Sequence, residues 1–519
     1  MLSVPALIDR AVRWYGPRLA VVDASRALTF AEVGERSSRL AHALLHLDRV
    51  PGGRVALLLS NRLEFVEADF AIAKSAKVKV PINPRLRDAE RSYIIAHSGA
   101  ETLITERSEL DRVNDLRREI PALRTVLSIG GGLSALDYEE TLAGGSATST
   151  VGALGGAIPS VVLYTSGTTG RPKGATLSDD SRIAATMSML IDEYSVNGDD
   201  GIIHAAPLSH GSGSKILAYF IRGARNILLR KFDPVHFFRT VEEQRGTSTF
   251  LVPTMIRMLL DAPERAQFNL VSLRNITYGG APIPRETVVQ ALEAFGPILV
   301  QVYGSCEAPH PVTVLRKEWH LSDGSDGIDP LLSAGREATG VEVSIVDESG
   351  GAVPEGDIGE LCVRGRNVML GYWSDPGATA DALCDGWYRT GDVARRDDRG
   401  FIYIVDRVRD MVISGGLNVY PAEVEAVLCR HPGIREACVV GIPDPLWGEV
   451  VAAFIVPSGA VPLDENEVIE HCSRHLAGYK KPRLVRFVDG LPKGPTGKFL
   501  KKELRSSFEG GRPEVGRRR

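Results

Sequence analysis

Cysteine is scarce: six residues among 519, at positions 306, 362, 384, 429, 438 and 472, with no C-x-x-C pair. A disulfide scaffold and a structural zinc site are therefore disfavoured. Long apolar runs are missing, so no segment reads as a bilayer span. The opening Met-Leu-Ser-Val-Pro-Ala-Leu-Ile-Asp-Arg has no basic segment followed by an apolar one, and no secretory leader is expected. A strong charge imbalance is missing too. The formal net charge is −4, which gives no sign of nucleic-acid binding. No internal repeat is found. These absences leave a cytoplasmic globular protein as the expectation. With 44% hydrophobic and 24% charged residues the composition is ordinary, and 519 residues exceed a single core, so two or more domains are expected.

What is present begins with the run Tyr164-Thr-Ser-Gly-Thr-Thr-Gly-Arg-Pro-Lys-Gly174. It follows Val161-Val162-Leu163, an apolar stretch that reads as a buried strand. Thr165, Ser166, Thr168 and Thr169 supply hydroxyls, Gly167 and Gly170 let backbone N–H groups approach closely, and Lys173 adds a compact positive charge. That chemistry suits a polyphosphate. The spacing is not that of the Walker loop, because the lysine comes three residues after Gly170 and is followed by glycine.

The first half reads as α/β. Residues 54–60, 78–82 and 101–105 have strand character, and residues 64–76 and 87–98 read as helices, the second stopping at Gly99. Strands alternating with helices predict parallel sheets covered on both faces. Residues 130–156, rich in Gly, Ser, Ala and Thr, read as a connection between subdomains. Residues 341–346 and 359–364 alternate like antiparallel strands. The last hundred or so residues read as a compact α/β unit, with a disordered tail expected from Ser506.

Further groups follow at wide spacing. Gly279, Gly280, Ala281 and Pro282 form a small-residue turn against which a flat ring can lie. Gln301-Val-Tyr-Gly-Ser-Cys-Glu307 sets an aromatic ring and a carboxylate four residues apart; Tyr303 suits stacking on a base and Glu307 suits magnesium. Asp392, ending Tyr-Arg-Thr-Gly-Asp, suits two ribose hydroxyls. Asp406-Arg-Val-Arg-Asp410 leads into Ser414-Gly415-Gly416, and Lys498 follows a Pro/Gly turn. Each alone has an ordinary explanation as a turn or a solvated charge; their order over more than three hundred residues does not.

Together these motifs resemble the adenylate-forming superfamily: acyl-CoA synthetases, carrier-protein adenylation domains and firefly-type luciferases. The resemblance covers essentially the whole chain. Asp406-Arg407 with Asp410-Met411, Asn418 to Pro421, Pro443-Asp444 with Trp447-Gly-Glu449, and Tyr479 to Pro482 resemble the acyl-CoA ligase branch. The resemblance implies an α/β fold with a large N-terminal domain of stacked sheets and a β-rich subdomain (1–407), a hinge at 408–409 pivoting about Arg409, and a small mobile α/β domain (410–505). It implies ATP, Mg²⁺ and coenzyme A. A carboxylic acid would first attack the α-phosphate of ATP, and the thiol of coenzyme A would then displace AMP.

By the same resemblance, residues Thr165 to Lys173 would hold the β- and γ-phosphates, and Glu307, preceded by Cys306, would hold Mg²⁺. Lys498 would bridge the acid and the α-phosphate. Gly280, Ala281 and Pro282 would flank adenine, with Tyr303 stacked and Gln301 nearby, while Asp392 and Arg407 would bind ribose. His210, Ser214, Val252, Tyr278, Gly279 and Gly304 would wall the acyl pocket, His210 gating or contacting the acid. Lys215 is a further polar group near that gate, suited to a second carboxylate or phenolate, or to solvent. Gly415 and Gly416 would admit pantetheine, and Trp447, Lys480, Lys481 and Arg483 would meet the nucleotide end of coenzyme A. A medium-sized, partly polar aromatic or alicyclic acid is the leading expectation, a fatty acid the next. Carrier-protein loading and a homodimer remain open, as do a luciferase-like oxidase and a silent nucleotide-binding protein. Two positions depart from the family pattern: Cys306 stands where threonine is usual, and Leu417 where many acyl-CoA ligases have glutamate.

Overall fold

The computed structural model describes residues 2–48, 50–149, 156–165, 171–321, 329–459, 461–494 and 499–509. Their contacts fall into two units. The first holds residues up to 165, 171–343 and 363–388, and the second holds 344–362 and 389 onward.

The first unit contains two large sheets. In the nine-stranded sheet, Leu19–Val22, Arg225–Leu228, Gly201–His204, Ser248–Leu251, Asn275–Gly279 and Leu299–Tyr303 run parallel side by side. Antiparallel strands close both edges. In the eight-stranded sheet, Pro159–Tyr164, Val78–Ile82, Arg54–Leu58, Thr102–Glu106, Thr125–Ile129 and Leu136–Asp137 are parallel. Gly174–Ser178 and Gly371–Tyr372 add antiparallel strands. The alternating strands and helices of the sequence thus form the expected parallel sheets. The expected helix over 64–76 is Leu63–Lys74, and that over 87–98 is Asp88–Ser98, ended by Gly99 at φ +62°.

Helix Leu63–Lys74 is buried along its whole length. One hydrophobic cluster joins its Phe65, Val66 and Phe70 to Val21 and Leu228 of one sheet and Val55 and Ile104 of the other. Its charges are paired, as buried charges must be. Glu67 meets Arg36 at 2.7 Å, Asp69 meets Lys79 at 2.7 Å, and Lys74 meets Asp9 at 3.1 Å. Residues 130–156 are more than a connection: Leu136–Asp137 is the edge strand of the eight-stranded sheet, and Tyr138–Ala143 is a helix.

In the second unit, residues 392–396 of strand Trp387–Arg396 pair antiparallel with Ile402–Arg407, setting Asp392 opposite Arg407. Beyond the turn Val408–Asp410, the chain forms a five-stranded sheet built on the long hairpin Ile434–Asp444 and Gly448–Pro457. Helices Pro421–Leu428 and Glu465–His475 pack one hydrophobic cluster on this sheet, and Leu504 and Phe508 join another. The expectation of disorder from Ser506 is not met over 506–509: helix Lys501–Glu509 carries Ser506 and Ser507, because Leu504 and Phe508 anchor it against Phe454 and Cys438. Residues 510–519 lie outside the described residues.

Candidate active site

The phosphate-type loop springs from two antiparallel strands in which Tyr164 pairs with Gly174. The Thr165 N–H donates to the Lys173 carbonyl at 3.0 Å, which closes the loop at its base. Gly174 has no space for a side chain, since a Cβ there would lie 2.7 Å from Val162. Ser166, Gly167, Thr168 and Thr169 fall outside the described residues, as does Lys498. The Lys173 ammonium lies over the ring of Tyr372, 5.0 Å from its centroid, and the Tyr372 hydroxyl donates to Glu307 Oε1 at 2.9 Å.

Glu307 is buried just past the end of strand Leu299–Tyr303. Ser305 Oγ accepts its backbone N–H at 3.2 Å, and its carbonyl accepts the Met369 N–H at 2.7 Å. Main chain and side chain are therefore both held. Cys306 and Tyr303 beside it are half-buried. At the end of the neighbouring strand, Gly279 packs against the Val302 carbonyl, where a Cβ would approach to 2.2 Å. Gly280 takes a left-handed φ of +82°, a conformation natural to glycine, and leaves Gly280 and Pro282 exposed. Val252, one strand further, lies 3.9 Å from where a Gly280 Cβ would be. Tyr278 is fully buried, its hydroxyl bonded to His320 Nε2 at 2.9 Å and Gln301 Oε1 at 3.2 Å.

The loop after strand Gly201–His204 holds His210, whose Nδ1 meets Ser209 Oγ at 2.9 Å. Ser214 Oγ donates to the Gly211 carbonyl at 2.7 Å and lies 3.3 Å from His310 Nε2. His310 stacks obliquely on Phe250, their ring centroids 5.5 Å apart. Gly304 lets the His310 backbone close in, since a Cβ would lie 2.6 Å from His310 N. Ser214 and Gly304, both expected in the acyl wall, thus meet through His310, a residue the motifs did not single out. Burial holds His310 well below the usual histidine range, so it is neutral.

Lys215 is neither solvent-exposed nor open to a second substrate carboxylate. It is fully buried, 2.6 Å from the equally buried Glu193, with its ammonium 4.9 Å from the Tyr194 ring and 5.2 Å from that of Phe250. Burial pushes the lysine down and the glutamate up. Beside them His204 links Ser212 and Asn226 at 2.8 Å each, and burial lowers its pKa to about 4.

In the second unit Arg407 Nε lies 3.0 Å from Asp392 Oδ1, a pair preset by the hairpin register. Arg409 is exposed on the turn that follows. Gly415 (φ +61°) and Gly416 (φ +78°) form the tight turn between strands Val412–Ser414 and Leu417–Val419. The Gly415 N–H donates to the Trp447 carbonyl at 2.8 Å, and a Cβ there would meet the indole at 2.8 Å. Arg483 stacks on Trp447 at 4.3 Å. Lys480 is tied to Glu423 at 2.7 Å, while Lys481 is half-buried. Ile413, Leu417, Leu446 and Trp447 leave exposed apolar surface in this unit.

No group of three or more His, Cys, Asp or Glu able to enclose a metal occurs among the described residues. A single buried carboxylate, Glu307, fits Mg²⁺ all the same, because that ion keeps several waters and takes its other ligands from bound phosphates. No helix is long and apolar enough to cross a membrane among the described residues.

Residues 8–373 match the AMP-binding enzyme family, and residues 423–498 match the AMP-binding enzyme C-terminal domain. A feruloyl-CoA synthase from an Amycolatopsis species is 38% identical over 491 residues, 94% of this chain and 96% of that protein. A medium/long-chain-fatty-acid–CoA ligase of Mycobacterium tuberculosis is 35% identical over 505 residues, 94% of this chain and 87% of that protein. Among solved structures, the amide bond synthetase McbA of Marinactinospora thermotolerans superposes with a TM-score of 0.89 at 32% identity, covering 98% of this chain and 100% of that one.

Proposed function

The chain belongs to the AMP-binding enzyme family and is an ATP-dependent, AMP-forming acid–CoA ligase; from that premise we propose that its acid carries a ring, aromatic or alicyclic, with some polar character. The observation that carries this reading is the wall formed by Ser214, His310 and Phe250 around Gly211 and Gly304. It brings together a flat apolar ring, a neutral imidazole and a hydroxyl, and the two glycines let these groups pack closely. The feruloyl-CoA synthase likeness supports an aromatic acid, and the fatty-acid ligase likeness keeps a chain as the competitor.

The chemistry needs positioning more than proton transfer. A carboxylate is already ionised at neutral pH, so no base is required and His210 serves as gate or contact. The first step brings anions together, and its barrier falls by orientation and charge neutralisation. Lys173 and the hydroxyls of Thr165, Ser166, Thr168 and Thr169 take the β- and γ-phosphates, and Lys498 spans the acid and the α-phosphate. Glu307 holds Mg²⁺, which when bound neutralises phosphate charge. Tyr303, Gln301 and Gly280 to Pro282 take adenine, and the Asp392–Arg407 pair takes ribose. In the second step a turn about Arg409 withdraws Lys498 and presents Gly415 and Gly416 to the pantetheine arm, with Trp447, Arg483, Lys480 and Lys481 toward the nucleotide end of coenzyme A.

Leu417, half-exposed beside the glycine turn, stands where the family resemblance implies a glutamate; a carrier-protein arm is the competing acceptor, and it presents the same pantetheine thiol as coenzyme A. The test is a pyrophosphate-release screen with MgATP across aromatic, alicyclic and fatty acids, run with and without coenzyme A. Release confined to ring acids with an acyl-CoA product supports the proposal; release with fatty acids alone overturns the substrate class. Acyl-adenylate that never becomes a thioester moves the acceptor to a carrier protein.

A further inference from the structure

We infer that Tyr372 is a positioning residue that holds the phosphate-loop lysine and the metal-binding glutamate apart and aimed; this rests on the reading above, in which Lys173 meets the ATP phosphates and Glu307 holds Mg²⁺. Tyr372 ends the two-residue strand Gly371–Tyr372, an edge strand paired with Gly174–Ser178, directly beside the base of the phosphate loop. Its frame is well fixed. The Trp373 N–H donates to the Gly174 carbonyl at 2.7 Å, the Leu370 N–H to the Thr176 carbonyl at 2.8 Å, and the Tyr372 N–H to Thr379 Oγ1 at 2.9 Å. Three residues before Tyr372 on the same segment, the Met369 N–H donates to the Glu307 carbonyl at 2.7 Å.

The side chain has two charged neighbours of opposite sign on two different surfaces. The ring face carries the Lys173 ammonium, 5.0 Å from the centroid, and the hydroxyl at the ring edge donates to Glu307 Oε1 at 2.9 Å. A ring face attracts cations through its quadrupole, and a phenol bonds a carboxylate strongly. With one carboxylate oxygen engaged, the carboxylate plane is set and the other oxygen is left to bind the cation. The ring gives the Lys173 ammonium a partner other than Glu307; a direct ion pair between the two would cost the site both its phosphate ligand and its metal ligand.

The two surfaces can be removed separately. Tyr372→Phe keeps the ring and deletes the donor; Tyr372→Leu deletes both. The full-length protein would be titrated with ATP in EDTA by calorimetry, and the enzyme–ATP complex with Mn²⁺ by electron paramagnetic resonance, alongside a thermal melt of each variant. Tyr372→Phe should weaken Mn²⁺ binding about tenfold, the scale of one lost hydrogen bond to a charged group, while leaving metal-free ATP binding within twofold. Tyr372→Leu should weaken both. The inference is overturned if Tyr372→Phe binds Mn²⁺ like the wild type, or if it loses metal-free ATP binding in equal measure, which is what loosened packing alone would produce. Wild-type protein that binds ATP without taking up Mn²⁺ would instead sink the functional reading beneath it.

Discussion

Acid should unfold the first unit through histidines that the fold keeps neutral. His204 and His320 are buried, and burial lowers both pKa values to about 4 from an ordinary 6.5. The folded imidazole holds its proton less tightly than the unfolded one. The stability each contributes is therefore complete above about pH 6.5 and is lost as the pH falls toward 4. A displacement of that size corresponds to about 3 kcal/mol in the limit, and to about 2 kcal/mol per histidine already at pH 5. Spread over the melting entropy of a unit this size, at about 2 cal/mol/K per residue, 2 kcal/mol shifts the melting temperature by roughly 2 to 3 °C. Buried carboxylates such as Glu67, whose pKa is raised, act in the opposite sense, so the informative quantity is a difference. Thermal melts of wild type and His204→Gln would be recorded at pH 7.5 and pH 5. The wild type should lose roughly 2 to 3 °C more than the variant between the two pH values, whatever the absolute stability of either. Equal losses would refute the argument, since His204 would then titrate alike in the folded and unfolded chain.

Three further outcomes follow from the described geometry and the family roles. Lys215→Ala leaves the Glu193 charge buried and alone and should cost about 3 to 5 kcal/mol, most of it recovered when Lys215→Met is combined with Glu193→Leu; chemical denaturation of the three proteins reads this directly. Cys306→Thr should preserve or raise acid-dependent pyrophosphate release, because the threonine hydroxyl is the stronger hydrogen-bonding group; a large loss would give the thiol a role of its own. Lys498→Ala should abolish acyl-adenylate formation while largely sparing thioester formation from supplied acyl-adenylate, and equal loss of both would contradict the two-step alternation.

Local patterns carried the frame of this molecule. Val78–Ile82, buried at every position, reads as a central parallel strand because nothing in it is made for water except Lys79, and that lysine has Asp69 waiting. The base of the phosphate loop, the Glu307 turn and the Asp392–Arg407 pair are contiguous or register-bound, so their placement can be read in one dimension. His310, Phe250, Glu193 and Tyr372 escaped for the opposite reason. Each acts through a partner remote in sequence: Glu193 through Lys215, Tyr372 through Glu307 and Lys173. A tyrosine in Gly-Tyr-Trp and a glutamate ending an amphipathic segment look like any surface residues until the chain folds. Lys215 belongs with them, since a lysine in a Ser/Gly-rich loop reads as solvated unless a buried acid is known to meet it. The C-terminal helix hid its apolar side in two residues, Leu504 and Phe508, among lysines and serines.

The parallel strands Gly201–His204, Ser248–Leu251, Asn275–Gly279 and Leu299–Tyr303 deliver their loops to one edge while their hydrogen bonds lie elsewhere. Each loop is thus a replaceable part on a permanent chassis. Lengthening one costs little, about 0.6 kcal/mol per doubling of its length, and disturbs no ladder. Under the proposed roles, substitutions after His204 and Leu251 would retune which acid is accepted, while those at Gly280 to Pro282 and at Glu307 would cost the nucleotide or its metal. On that proposal, descendants of this chain could drift among acids, one loop at a time, without relearning how to handle ATP.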